Sequence, residues 1–153
     1  FSTTANSGSP FDITGLSVTI TPTSNTSKIL VFADVGGHVH NSQGGAFLIH
    51  RAISSGSSGE LATGRADGDG NRRTSHFTGT LYTGDGGGAL DITLTANCKI
   101  LDSPATTSAV TYKVQMQKNS SNDLYCINRT ESDDNISDES RTVSQIMVME
   151  VAA

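Results

Sequence analysis

Residues 28–40 read Lys-Ile-Leu-Val-Phe-Ala-Asp-Val-Gly-Gly-His-Val-His. At the two-residue period of an extended chain, Ile29, Val31, Ala33, Val35 and Val39 fall on one face. Leu30 and Phe32 share the other face with Asp34, His38 and His40. The first half of this strand is therefore apolar on both sides, and both sides are expected to be covered.

The same alternation recurs outward from it. Leu16, Val18 and Ile20 alternate with Ser17, Thr19 and Thr21, as in a half-buried strand. Residues 46–52, 74–82, 89–101, 110–117 and 124–128 are further predicted strands, most of them flanked by Gly, Asn, Asp, Ser or Pro clusters. In 89–101 the inward face is Leu90, Ile92, Leu94, Ala96, Cys98 and Ile100, with Asp91, Thr93, Thr95 and Lys99 opposite. Val110, Tyr112, Val114 and Met116 repeat that pattern. No window carries the apolar stripe of a helix, and the Gly-rich stretches 54–59 and 84–88 would interrupt one. The expectation is an all-β, antiparallel two-sheet sandwich of about eight to ten strands, of the jelly-roll kind.

The last predicted strand speaks to assembly. Ile146 and Val148 point one way, and Val143, Met147, Met149 and Val151 the other. One face fills the core. The second needs separate cover, and together with Leu30 and Phe32 it predicts a homo-oligomer.

Composition narrows the function. The chain has 153 residues, enough for one ordinary domain, 1–153. Its charged fraction of 16% is low beside an average of about 25%, and Ser and Thr make up about a quarter of it. A net charge of −5, 5% aromatic residues and no Trp provide neither the basic footprint nor the stacking platform of a nucleic-acid binder. No apolar run is long enough for a membrane-spanning helix. The first residue is Phe1, so the chain is expected to be a fragment or a processed product. Cys98 and Cys126 are too few for a disulfide framework and lack close-spaced partners for zinc. Two buried thiols or one disulfide both fit.

A resemblance enters with the stretch 101–108 (LDSPATTS), followed by Thr111-Tyr112-Lys113-Val114-Gln115, Ile127-Asn128-Arg129, and Arg141-Thr142-Val143-Ser144 leading into IMVMEV. Near the start, Pro10-Phe11-Asp12-Ile13-Thr14-Gly15-Leu16, Ile20-Thr21-Pro22 and Ser27-Lys28-Ile29-Leu30-Val31 belong to the same pattern. In order and spacing the chain resembles C-terminal domains of bacteriophage tail-fibre and virion-fibre proteins, many of them from marine and cyanobacterial phages. That group resembles the trimeric jelly rolls of the tumour necrosis factor and complement-head type. There, inner sheets meet around a three-fold axis and the final strand lies in the inner sheet. The resemblance implies the C-terminal part of a longer fibre, a homotrimer among other virion proteins, located on the particle surface. It also implies a trimer contact through Leu30, Phe32, Met147, Met149 and Val151. Cys98, Cys126 and the His38-Val39-His40 triplet depart from the group's pattern.

Residues with chemistry are few. No Gly-x-Ser-x-Gly elbow or phosphate-binding Gly-Lys-Ser/Thr loop occurs, and the acidic residues gather in polar loops, so a non-enzymatic role is expected. His38 and His40 share a strand face and are the candidate ligands for a divalent metal, against the plainer reading of two surface or interface histidines. The stretch 67–71 (DGDGN) begins like a calcium loop but has Thr78 where the bidentate Glu belongs, which favours a plain loop. The acidic run 131–139 (ESDDNISDE) reads either as a receptor-contacting tip or as a solvated loop held open by like charges. Arg65, Arg72 and Arg73 are candidates for saccharide contact or for salt bridges to nearby acids. Asn71, Asp133 and Asp134 complete the candidate receptor-binding set with these arginines. Asn25, Asn119, Asn128 and Asn135 begin Asn-x-Ser/Thr sequons, which carry meaning only in a eukaryotic secreted protein.

The function expected from these readings is a trimeric phage fibre domain presenting loops to a bacterial surface saccharide. Two alternatives stand beside it: a purely structural capsid- or tail-decorating protein, and a secreted jelly-roll lectin or signalling ligand.

Overall fold

The computed structural model of the chain describes residues 2–3, 9–39, 44–67, 74–80, 92–118, 125–130, 133–137 and 139–152. Its strands, in chain order, are β1 (Ser2–Thr3), β2 (Phe11–Ile20), β3 (Lys28–Val39), β4 (Gly44–Ile53), β5 (Ser58–Glu60), β6 (Phe77–Thr80), β7 (Ile92–Asp102), β8 (Val110–Lys118), β9 (Tyr125–Ile127) and β10 (Gln145–Val151). No helix occurs among the described residues.

The strands form two antiparallel sheets. In the first, β3 is central. One of its edges pairs with β7 from Ile29↔Asp102 to Val39↔Ile92. The other edge is shared: β10 takes the first half, from Val151↔Lys28 to Gln145↔Asp34, and β9 takes residues 37–39, with β1 beyond it. In the second sheet β8 lies between β2 and β4, and the far edge of β4 carries β6 and β5. The chain is all-β, with two sheets packed face to face.

Alternation decides which side chains meet between the sheets. Ile29, Val31, Ala33 and Val35 of β3 are fully buried, as are Val110, Tyr112 and Val114 of β8 and Phe47 and Ile49 of β4. Ile146 and Val148 of β10 and Cys98 of β7 pack against this core from the first sheet. Phe47 stacks on Phe77 with ring centres 5.0 Å apart and meets Tyr125 edge-on at 5.5 Å, a geometry that aromatic quadrupoles favour.

Strand β2 breaks the simple alternation. Phe11 and Ile13 pack on the core from odd positions, Leu16, Val18 and Ile20 from even ones. The pairing with β8 shifts between Asp12 and Ser17, and Gly15 within this bulge has φ of +88°. A side chain there would be strained, and the bulge re-aims the strand so that both halves reach the core.

Strand β7 ends in a carboxylate on the inward parity of Ile100. Asp102 is 2% exposed and accepts hydrogen bonds from Nη1 of Arg51 at 2.9 and 3.0 Å and from the Tyr112 hydroxyl at 2.7 Å. Arg51 and Tyr112 belong to the second sheet, so this cluster ties the two sheets together at one end of the core. Burial, then the bond to Asp102, raises the Tyr112 pKa far above the usual phenol range.

No disulfide joins Cys98 and Cys126. Cys98 lies opposite Ala33 on one edge of β3 and Cys126 opposite His38 on the other. Five residues along the strand and two inter-strand spacings separate them by about 19 Å, beyond the roughly 7 Å a disulfide tolerates. Cys126 is fully buried, and burial pushes the Cys98 thiol up to about 11.

Removing the buried carboxylate leaves the Arg51 charge and the Tyr112 hydroxyl without their acceptor. Asp102→Ala is expected to lower stability by about 3 kcal/mol, and Tyr112→Phe, which removes a single donor, by about 1 kcal/mol. Urea denaturation of the two variants checks the order. Equal and negligible losses would show that the cluster does not hold the sheets.

Candidate functional site

Two surfaces stand out. The first is the outer face of β3 and its neighbours, which the protein treats differently in its two halves. Around Gly36 the chain covers the face itself. The Asn128 N–H donates to the Gly36 carbonyl at 2.9 Å, the Thr142 N–H donates to the Asn128 carbonyl at 3.1 Å, and the Gly36 N–H donates to Ser144 Oγ at 3.0 Å. Ser144 Oγ in turn donates to Asn128 Oδ1 at 2.5 Å. A β-carbon on residue 36 would lie 2.4 Å from Thr142 Oγ1, so only glycine lets this segment lie so close.

The other half has no such cover from the described residues. Register places Leu101, Leu30 and Met149 in one row across β7, β3 and β10, and Lys99, Phe32 and Met147 in the next. Leu101, Met147, Met149 and Val151 are between 40% and 50% exposed, while Leu30 and Phe32 are half-buried between them. The structure thus brings together all five residues expected at a subunit contact and adds Leu101. Its signal was present in the sequence: Leu101 follows Lys99 on the face opposite Cys98 and Ile100, an apolar residue at an outward position.

The second surface is a crevice of about 440 Å³ lined by residues 133–136 and 139–141. Its frame is a fork in which Arg141 donates from Nε and Nη2 to the two Asp133 oxygens at 2.9 and 3.0 Å. Asp133 has φ of +53°, a turn conformation that Asp tolerates better than most residues. The guanidinium holds the Asp133 carboxyl below the ordinary carboxylate range, chiefly through these hydrogen bonds. Asp134, Asn135, Glu139 and Ser140 add polar groups around the wall, and Ile136, 59% exposed, gives it an apolar patch. Such a mixture of fixed acceptors, planar donors and an aliphatic contact suits the hydroxyls and ring faces of a sugar.

Within the acidic run, Arg141 pairs with Asp133 and offsets one of the like charges. The sequence shows acids from residue 131 onward and an arginine eight residues after Asp133, but nothing local says that they meet.

The remaining candidates separate. Arg65 pairs with Glu60 at 2.5 Å beside the edge of the second sheet, the salt-bridge reading of that residue. Asp133 and Asp134 belong to the segment leading to β10 of the first sheet, so the structure does not assemble Arg65 and the two aspartates from a single sheet edge. Asn71, Arg72 and Arg73 lie outside the described residues, as do His40 and most of the 67–71 loop. For His38 the backbone pairs with Cys126 and Thr93. Among the described residues, no three His, Cys, Asp or Glu side chains group as metal ligands.

No family model matches the chain, and no curated protein or solved structure matches it either.

The fork makes a direct prediction. Arg141→Gln is expected to raise the Asp133 pKa back toward the free carboxylate value, followed by carbon-detected NMR titration of the Asp side chains. A folded state with a depressed carboxyl pKa keeps the associated stability above the unfolded value and loses it as the pH falls through the folded one. The substitution should therefore also flatten stability against pH in the acid range. An Asp133 titration that ignores the substitution would show that the fork does not form in solution.

Proposed function

We propose that this chain is a non-enzymatic virion fibre domain of a bacteriophage, a homotrimeric jelly roll that presents surface loops to a saccharide on its host. The observation that carries the reading is the bare apolar half-face of the first sheet. Its Leu30, Phe32, Leu101, Met147, Met149 and Val151 form a contiguous patch on three strands, and such patches on soluble proteins mark interaction surfaces.

The strand order supports the finer fold. Early and late strands interleave in both sheets, with β10 beside β3 and β7 in one and β2, β8 and β4 adjacent in the other. A jelly roll would interleave its strands in this way. The sheet that holds the last strand is also the sheet with the apolar outer face, as in the trimers of the tumour necrosis factor and complement-head type.

The outer face of the second sheet has the opposite character. Asp12 there accepts from Lys113 and Gln115, both at 2.8 Å. One face is fitted to another subunit and one to water. Three copies of a shallow crevice such as that around Asp133 and Arg141 would raise avidity for a repeated saccharide without any single tight site.

Light scattering during size exclusion tests the assembly. The expected mass is three times that of the chain and persists on dilution. Met147→Asp together with Leu30→Asp is expected to give a monomer whose circular dichroism remains that of a β protein. A stable wild-type monomer would overturn the reading.

A further inference from the structure

The edge of β4 that faces away from β8 is paired with β6 over residues 44–47 and with β5 over residues 50–52. Neither strand reaches Ile49, and two other groups close the gap. The Ile49 carbonyl accepts the Leu61 N–H at 2.8 Å. The Ile49 N–H donates to Nδ1 of His76 at 3.1 Å. A ring nitrogen thus stands where a neighbouring strand would supply a carbonyl oxygen. The backbone of His76 holds the same edge, since its N–H donates to the Phe47 carbonyl at 2.9 Å. The Ala66 N–H, bonded to the Ser75 carbonyl at 3.0 Å, brings the preceding segment to the same place.

This arrangement needs a neutral imidazole. A nitrogen that accepts has its lone pair free, so the ring proton sits on Nε2. Nε2 is buried. A proton on Nδ1 would set two donors against each other at the Ile49 N–H and would place a charge where burial disfavours it. The surroundings agree. Burial is the main cause that lowers the His76 pKa, the Leu61 and Thr63 carbonyls oppose it, Arg65 adds to the lowering and Glu60 works against it. Among the described residues, His50 and Arg51 of the neighbouring β4 have partners of their own, Ser58 and Asp102. On its core side β7, which packs against β6, presents Ala96, Cys98 and Ile100, not a charged group.

We propose that His76 is an acid-sensitive staple of the β4 edge: a proton on Nδ1 releases the Ile49 N–H and loosens the hold of residues 61–67 and 74–76 on the second sheet. The sign follows from the tautomer. The staple is complete above the ordinary imidazole value, and its contribution is lost as the pH falls through the lower value of the folded state. The sheet edge opens at Ile49 while the β4–β8 pairing on the opposite edge stays intact.

The test is amide hydrogen exchange by NMR, reading Ile49 against Val31 in β3 as an internal reference for global opening. Three proteins are compared at about pH 7.5 and about pH 4.5, values that bracket an imidazole titration: wild type, His76→Asn and His76→Phe. Asn places an oxygen near the position of Nδ1 and accepts at any pH. Phe keeps a ring and accepts nothing. Wild type is expected to lose about tenfold of its Ile49 protection in acid, beyond the intrinsic change and with Val31 unaffected, the equivalent of one hydrogen bond. His76→Asn should keep Ile49 protected at both values, and His76→Phe should leave it unprotected at both. The proposal is overturned if wild-type Ile49 stays protected once the His76 ring shifts report full protonation, or if His76→Asn shows the same acid loss. Should His76→Phe fail to fold, the comparison of wild type with His76→Asn decides alone.

Discussion

Strand β3 has a partner along both edges, and most of the architecture follows from how those edges are filled. The β7 ladder covers one of them without a break. The other needs two separate strands, because β10 stops at Asp34 and β9 begins at Gly37. The junction between them is where the segment around Asn128, Thr142 and Ser144 folds back over Gly36. Backbone pairing and the covering of the outer face are therefore one problem with one solution. The solution stops halfway along the strand, and the half it leaves bare is apolar.

That division gives the two surfaces their separate characters. The segment that carries the Asp133–Arg141 fork leads directly into the residues that cover Gly36. The second sheet, polar outside and tied through Arg51 and Tyr112 to Asp102 of the first, holds that face in place. Loops on a scaffold of this kind are free to vary in sequence while their positions stay fixed.

Much of this was legible from alternation alone. The inward faces of 29–35 and 110–116 agree with alternation because a core selects one parity along a strand. The places where the reading fell short have specific causes. At β2 a bulge at Gly15 shifts the phase, so Phe11 and Ile13 reach the core from positions that strict alternation would assign to the surface. Residues 74–76, expected as strand, instead supply a ring nitrogen to the edge of β4, a role that no periodicity encodes. Asp102 and Arg51 continue the inward parity of Ile100 and Ile49, but only the packed sheets show that they meet each other. Arg141 is the site residue that local sequence hid, because a fork across a turn leaves no spacing rule of its own. The apolar patch was largely foreseen, since an outward-facing Leu, Phe or Met on an otherwise polar face is visible in one dimension.

The split edge of β3 also sets an order of events during synthesis. A ribosome releases β3 well before β10, with β4 to β9 in between. Until β10 emerges, the nascent chain displays Lys28–Asp34 as an open strand edge flanked by apolar side chains on both faces, a template for pairing with any similar segment nearby. On a polysome the nearest such segment belongs to an identical nascent chain. Correct folding therefore depends on β10 reaching its own β3 before a neighbour's strand does, and a message truncated ahead of residue 145 would yield chains whose stickiest surface can never be closed from within.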